Sequence, residues 1–257
     1  MDTSTGYGSV DAPDLCLIGF EDPATAEDVH RLVAAALHIA GRWQLTPPGQ
    51  LVIELTPGAD LPPDVLGEFS ELEDRSGRIR LARELDVWGR RQTLAHEFGH
   101  LLIVMSYGWR GPGKMTAGEV TVCEYAAERL MPRVMEAAGY ACSASKDVDE
   151  SDLVTGLWFY RRNLLGRANR TPEEERRLAR VTLEIARCYA YALGVARGTG
   201  DPASRRHVME MASDSDIEPI ISPLRRARWT WRSTEGAGLA RWIQRVGFAL
   251  DRTLAGG

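Results

Sequence analysis

Lysine is nearly absent from this chain of 257 residues: Lys114 and Lys146 are the only two, and arginine carries almost all of the positive charge. The bias reads as a mark of GC-rich coding rather than of a function. Positive charge does not prevail in any case, since 31 Lys and Arg face 36 Asp and Glu, a formal net charge of -5. A chain of that balance does not advertise a nucleic-acid partner. Cysteine is equally sparse. Cys16, Cys123, Cys142 and Cys188 are scattered with no C-x-x-C spacing, which excludes a disulfide framework in a chain this long. No apolar run approaches bilayer-spanning length. Residues 1–6 are polar and acidic, where a secretory signal would be basic and then apolar. The expectation is a cytoplasmic protein with no membrane partner.

What is present is ordinary globular material, 44% hydrophobic and 26% charged, with one unusual stretch. His96-Glu97-Phe98-Gly99-His100 sets two histidines four residues apart, so that on a helix both project from one face and reach a single metal ion. Glu97 between them is placed to take a proton from water at that metal. The flanks agree with such a helix. Gly89 and a polar stretch precede it, Leu101-Leu102-Ile103-Val104-Met105 continues it as an apolar run, and Gly111-Pro112-Gly113 stops it from resuming. The competing reading is a buried helix whose histidines only satisfy hydrogen bonds in the core.

Catalytic zinc commonly takes three protein ligands and keeps a fourth position open. Four acids follow within reach: Glu119, Glu124, Glu128 and Glu136. A helix is expected over residues 117–138, interrupted or bent at Pro132. Glu119 lies in its first turn, directly after a loop that can bring the chain back across the metal, and is the favoured ligand. Glu124 points well away from Glu119 around that helix, and Glu128 shares its face only loosely. The competing reading of Glu119 is an acid favoured at a helix start by the dipole.

Thr93-Leu94-Ala95-His96-Glu97-Phe98-Gly99-His100-Leu101-Leu102, followed by Tyr125-Ala126-Ala127-Glu128-Arg129-Leu130-Met131-Pro132, resembles the ImmA/IrrE metallopeptidases. Their pattern is T-L-A-H-E-[LFI]-G-H and then E-x-E-A-N-x-F-A-A-x-L-L-M-P. Laid on it, Glu119 matches the first Glu, Thr121 the second, and Cys123 the Asn or Asp. The resemblance implies that the first Glu is a ligand, which again favours Glu119. It also implies that a polar residue at position 123 would steady a ligand histidine, a role for which a thiol is a poor substitute. The similarity is confined to residues 78–135. Some relatives carry a helix-turn-helix at the N-terminus; none is evident here.

Along the chain, residues 1–14 read as a flexible terminus rich in Asp, Ser, Thr and Gly. Residues 15–20 and 51–55 read as strands, and a helix begins at Thr25 with Asp28 three positions on. Residues 78–82 alternate apolar and polar, as in a half-buried strand. Lying just before the metal helix, that strand is expected to be the sheet edge on which an extended substrate adds itself. His30 and His38 are too far apart to share a metal and read as solvent-side or structural. A composition change near residue 147 suggests a catalytic domain over 15–146 and a helical region over 151–257 that packs beside it and supplies no metal ligand. Thr171-Pro172-Glu173-Glu174 starts a helix there. Beyond Pro223, arginines interleave with Trp229, Trp231 and Trp242, either to contact a partner or to cover helix surface with their stems.

The expected fold is α+β: a small sheet, the HExxH helix and the Glu-ligand helix of a zincin-like metalloprotease core, then a mostly helical C-terminal part. The expected function is zinc-dependent hydrolysis of a peptide bond, with one Zn2+ per chain on His96, His100 and Glu119 and with Glu97 as catalytic base. By resemblance, the partner is a protein substrate such as a transcriptional repressor. Two alternatives stand beside it: a metal-binding regulatory protein that binds a partner with little protease activity, and a zinc hydrolase of a non-peptide amide. Tyr107, Tyr125, Tyr140, Tyr160 and His207 are candidates for stabilising an oxyanion.

Overall fold

The computed structural model describes residues 13–43, 45–63, 65–71, 76–107, 115–142, 150–211, 218–226 and 236–256. The flexible terminus expected over residues 1–12, and the segment holding Arg228, Trp229, Trp231 and Arg232, lie outside them.

The chain begins with β1 (Asp14–Ile18), α1 (Pro23–Trp43) and β2 (Gln50–Thr56), a parallel unit in which Leu15 pairs with Leu51. Asp22 opens α1, its carboxylate accepting from the Thr25 amide at 3.0 Å, so the helix starts earlier than the Thr25 signal suggests. β3 (Gly67–Glu71) and β4 (Ser76–Ala82) complete a mixed sheet of order β1-β2-β4-β3. β4 runs parallel to β2 and antiparallel to β3. Residues 78–82 are therefore interior to the sheet, and the edge nearest the HExxH helix is β3, a strand absent from the sequence reading. The sheet follows its alternation. Leu51, Ile53, Ile79 and Leu81 are fully buried on one face. On the other, Arg78 pairs with Glu54, and Arg80 reaches Glu68 at 2.6 Å. Those arginines serve cross-strand pairing rather than edge protection.

Among the described residues seven helices follow from Val87 on: α2 (Val87–Tyr107), α3 (Ala117–Ala137), α4 (Glu150–Leu165), α5 (Pro172–Thr199), α6 (Pro202–Met211), α7 (Glu218–Arg226) and α8 (Gly236–Gly256). The fold is thus α+β and mostly helical. Capping boxes fix two starts: Thr171 with Glu174 for α5, as its sequence indicates, and Thr116 with Glu119 for α3. Pro132 sits inside α3 without ending it.

The two regions on either side of residue 147 share one continuous apolar core. Leu101, Phe98 and Ile79 belong to it together with Ile185, Tyr189, Ile221 and Ile243. Close approaches tie the C-terminal helices to α3. A Cβ on Gly194 of α5 would stand 2.7 Å from the Tyr125 carbonyl oxygen, and one on Gly118 would stand 2.2 Å from the Gly247 carbonyl oxygen of α8. Asp251 of α8 accepts from the Gly118 amide at 2.8 Å, satisfying a free donor of the first turn of α3. Helices α5 and α8 of the C-terminal region are packed directly onto α3. α4 packs on α5, with Leu164 buried and Phe159 and Tyr160 exposed.

Candidate metal centre

α2 is buried along most of its circumference, with Leu94, Ala95, Phe98, Leu101, Leu102 and Ile103 all fully covered. Its histidines face α3, with Phe69 of β3 and Tyr191 of α5 beside their rings. α2 and α3 run antiparallel and very close, because Gly99 presents no side chain: a Cβ there would stand 2.8 Å from the Ala127 Cα. At that separation the four-residue spacing of His96 and His100 meets a matching spacing on α3. His100 Nε2 lies 3.0 Å from Glu124 Oε2, and His96 Nδ1 lies 3.0 Å from Glu128 Oε1.

His96, His100 and Glu124 form a group that could hold a metal ion. The two Nε2 atoms are 2.9 Å apart, and His96 Nε2 lies 3.6 Å from Glu124 Oε2. A tetrahedral metal with bonds of about 2.0–2.2 Å holds its ligand atoms roughly 3.4 Å apart, so these three donors need almost no rearrangement. Their chemistry also fits: two imidazoles and a carboxylate, on rigid helices, beside a cleft. Each has a supporting contact. Phe69 of β3 stacks on the His100 ring with centroids 5.4 Å apart, and the Tyr191 hydroxyl of α5 donates to Glu124 Oε2 at 2.8 Å. The Tyr191 ring lies nearly parallel to that of His96, at 6.1 Å.

The electrostatics favour a cation here. Burial pushes the His96 imidazole down, but the carboxylates of Glu128, Glu97 and Glu124 outweigh it and carry its pKa up to about 9. Burial pushes Glu124 up, but His100, His96 and the Tyr191 hydroxyl outweigh that and hold it at about 2. A metal bound there would have to displace the His96 proton, while Glu124 is already ionised. Glu97 is 7% exposed, and burial raises its pKa above the ordinary carboxylate range. It lines a cleft of about 760 Å³ together with both histidines, Glu124, Glu128, Cys123 and Tyr191.

Glu119 is not part of this group. Its side chain accepts from the Thr116 amide at 2.9 Å, and a Cβ on Gly247 would press against it, so it serves the start of α3. The reading of Glu119 as a helix-start acid is the one that matches. The acid brought to the histidines is Glu124, in a register five residues later. Glu128 lies beside His96 Nδ1, where it can steady a ligand histidine, the role that the resemblance gives to a polar residue at position 123. Cys123 is buried, and burial first, then Glu124 and Glu119, push its thiol up, so it stays neutral.

Of the candidate oxyanion groups, Tyr140 donates to Asp28 at 2.6 Å, Tyr125 is fully buried and accepts from Arg197, and Tyr160 is on the exposed face of α4. The side chains of Tyr107 and His207 lie outside the described residues. Tyr191, absent from that set, is the phenol at the site. No protein-family model and no curated protein sequence gives a significant match to the chain.

Proposed function

We propose that this protein is a zinc-dependent endopeptidase of the ImmA/IrrE kind, built on a zincin-like core. The observation that carries the reading is the convergence of His96 Nε2, His100 Nε2 and Glu124 Oε2 on the wall of a cleft that Glu97 also lines. Bound to those three atoms, zinc would supply Lewis acidity, polarising a carbonyl and lowering the pKa of water. Glu97 takes the proton of the attacking water and hands it to the departing amine; its burial and raised pKa suit a group that must both accept and return a proton. Glu128 holds His96 by its Nδ1 edge, and the Tyr191 hydroxyl, already aimed at the triad, is placed to donate to a developing oxyanion.

The cleft is bounded by β3, whose second edge pairs with no strand among the described residues. An extended polypeptide can add to such an edge through its backbone, which favours a peptide over a small amide. Cys123 lends no weight to a purely binding role, because Glu128 supplies the steadying contact at His96. By resemblance, the substrate is an intracellular regulatory protein such as a repressor, and the protein works in the cytoplasm. No described helix is long and apolar enough to cross a membrane.

The test is to incubate zinc-loaded full-length protein with a denatured protein mixture and identify new chain ends by mass spectrometry. Cleavage abolished by a chelator and restored by stoichiometric zinc supports the reading. Zinc-loaded protein that generates no new ends counts against it.

A further inference from the structure

The cleft runs past the triad in both directions, and its two ends are unlike its centre. One helical turn beyond His100 stands Val104, one turn before Glu124 stands Val120, and Met115 lies at the same end. Because α2 and α3 are antiparallel, the opposite end lies beyond His96 and Glu128. There the walls are Met131 of α3, Val195 of α5 and Val208 of α6, with Gln92 of α2 and Ser204 of α6 beside them. Both ends are therefore mostly apolar, and each draws on a different set of helices.

Apart from the two histidines of the triad, the charged groups of the cleft are carboxylates. Glu68, Glu97, Glu124 and Glu128 line it, Glu68 paired with Arg80 behind it, and among its described lining residues there is no arginine or lysine. An ion held by the triad would offset part of that charge at the centre only. A substrate's terminal carboxylate lying a residue or two away would find carboxylates and no cation, and would be desolvated against valine and methionine. Acidic side chains would fare no better. Apolar side chains at the same places gain roughly 1.5–3 kcal/mol each on full burial.

Resting on the peptidase reading above, we infer that the substrate segment is an internal, extended stretch with large uncharged apolar side chains on both sides of the cut bond. Val120 is a specificity-determining residue for one of those sides. It is only partly buried and lies a full turn from Glu124, so its side chain sets the room at that end without touching the triad.

The experiment profiles the full-length zinc protein on peptides acetylated at the N-terminus and amidated at the C-terminus. The residue on each side of the central bond is varied in turn, and a matched set carries free carboxylates. Leu, Met or Phe on either side should be cut at least about tenfold faster than Asp or Glu, and capped peptides at least as well as free acids. Val120→Trp should shift the preference on one side only, from Leu or Phe toward Ala or Gly, with zinc content unchanged. Binding of the same peptides to the Glu97→Gln protein, followed by calorimetry, reads the preference without turnover. Dependence on a free carboxylate, or equal binding of acidic and apolar peptides, overturns the inference. Selective binding of apolar peptides with no turnover by the zinc protein would instead overturn the peptidase reading and leave the selectivity of the cleft standing.

Discussion

Gly99 of α2 and Ala127 of α3 meet where the two helices cross, so closely that a Cβ on Gly99 would stand 2.8 Å from the Ala127 Cα and 3.1 Å from its carbonyl oxygen. That approach lets Glu124 and Glu128 reach the histidines from the neighbouring helix. The glycine of the HExxH stretch is therefore a distance setting for the site. Gly99→Ala should cost about 1–3 kcal/mol through overpacking and separate the donors. Thermal unfolding with and without zinc checks it: the rise in Tm on adding zinc should be markedly smaller in the variant. An unchanged rise would show that the crossing does not set the donor spacing.

Glu119 and Glu124 make a direct comparison. Glu124→Gln should lose zinc, because a carboxylate ligand is replaced by a neutral amide. Glu119→Gln should retain it and lose only about 0.3–1 kcal/mol of stability at the start of α3. Glu128→Gln should fall between, weakening zinc by about 10- to 100-fold through its hold on His96. Zinc content measured by elemental analysis separates the three. Loss of zinc in Glu119→Gln with retention in Glu124→Gln would contradict the site.

A chain ended at residue 146 should fail to fold. It would strip from α3 the helix carrying Ile185, Tyr189 and Leu193 of the shared core, and would remove Tyr191 from Glu124. Circular dichroism and limited proteolysis report it. A soluble, cooperatively unfolding fragment that binds zinc as the full chain does would contradict this.

Asp28 of α1 joins α2 to the segment that follows α3, accepting from Arg91 Nε at 2.9 Å and from the Tyr140 hydroxyl at 2.6 Å. Burial pushes its pKa up, but the hydrogen bonds from Tyr140 and Arg91 and the charge of Arg91 outweigh it and leave it lowered. A carboxylate depressed in the folded state stabilises the protein above its unfolded pKa, about 3.9. That stabilisation fades as pH falls below that value and through the folded one. Tyr140→Phe should cost about 1 kcal/mol near neutrality, and Asp28→Asn should flatten the loss of stability below about pH 4. Urea unfolding across pH measures both. Parallel curves for Asp28→Asn and wild type would exclude the contribution.

The α2 helix and the projection of both histidines from one face were legible in the sequence, because ligand spacing and buried periodicity coincide there. The α5 capping box was equally plain. Glu124 is among the four candidate acids in the sequence, but position along α3 and the likeness to a family pattern both favour Glu119 over it. The useful signal was rotational: Glu124 and Glu128 repeat the four-residue spacing of His96 and His100, as two helices joined face to face require. Thr116-x-x-Glu119 was itself a readable capping box that already committed Glu119 elsewhere. β3 escaped notice because Gly67-Glu68-Phe69-Ser70-Glu71 has one large apolar residue, and its place depends on pairing with β4. Tyr191 could not be read locally, since it reaches the site only through the packing of α5 on α3.

In the proposed zinc hydrolase, Glu97 is the proton-transfer group. The most direct measurement is the turnover of a capped peptide by wild type and by Glu97→Gln, with zinc content determined on the same samples. Gln keeps the shape of the side chain and cannot accept the proton. The account predicts full zinc occupancy in both proteins and a rate lowered by about 100- to 10,000-fold in the variant. Equal turnover at equal zinc content would contradict it.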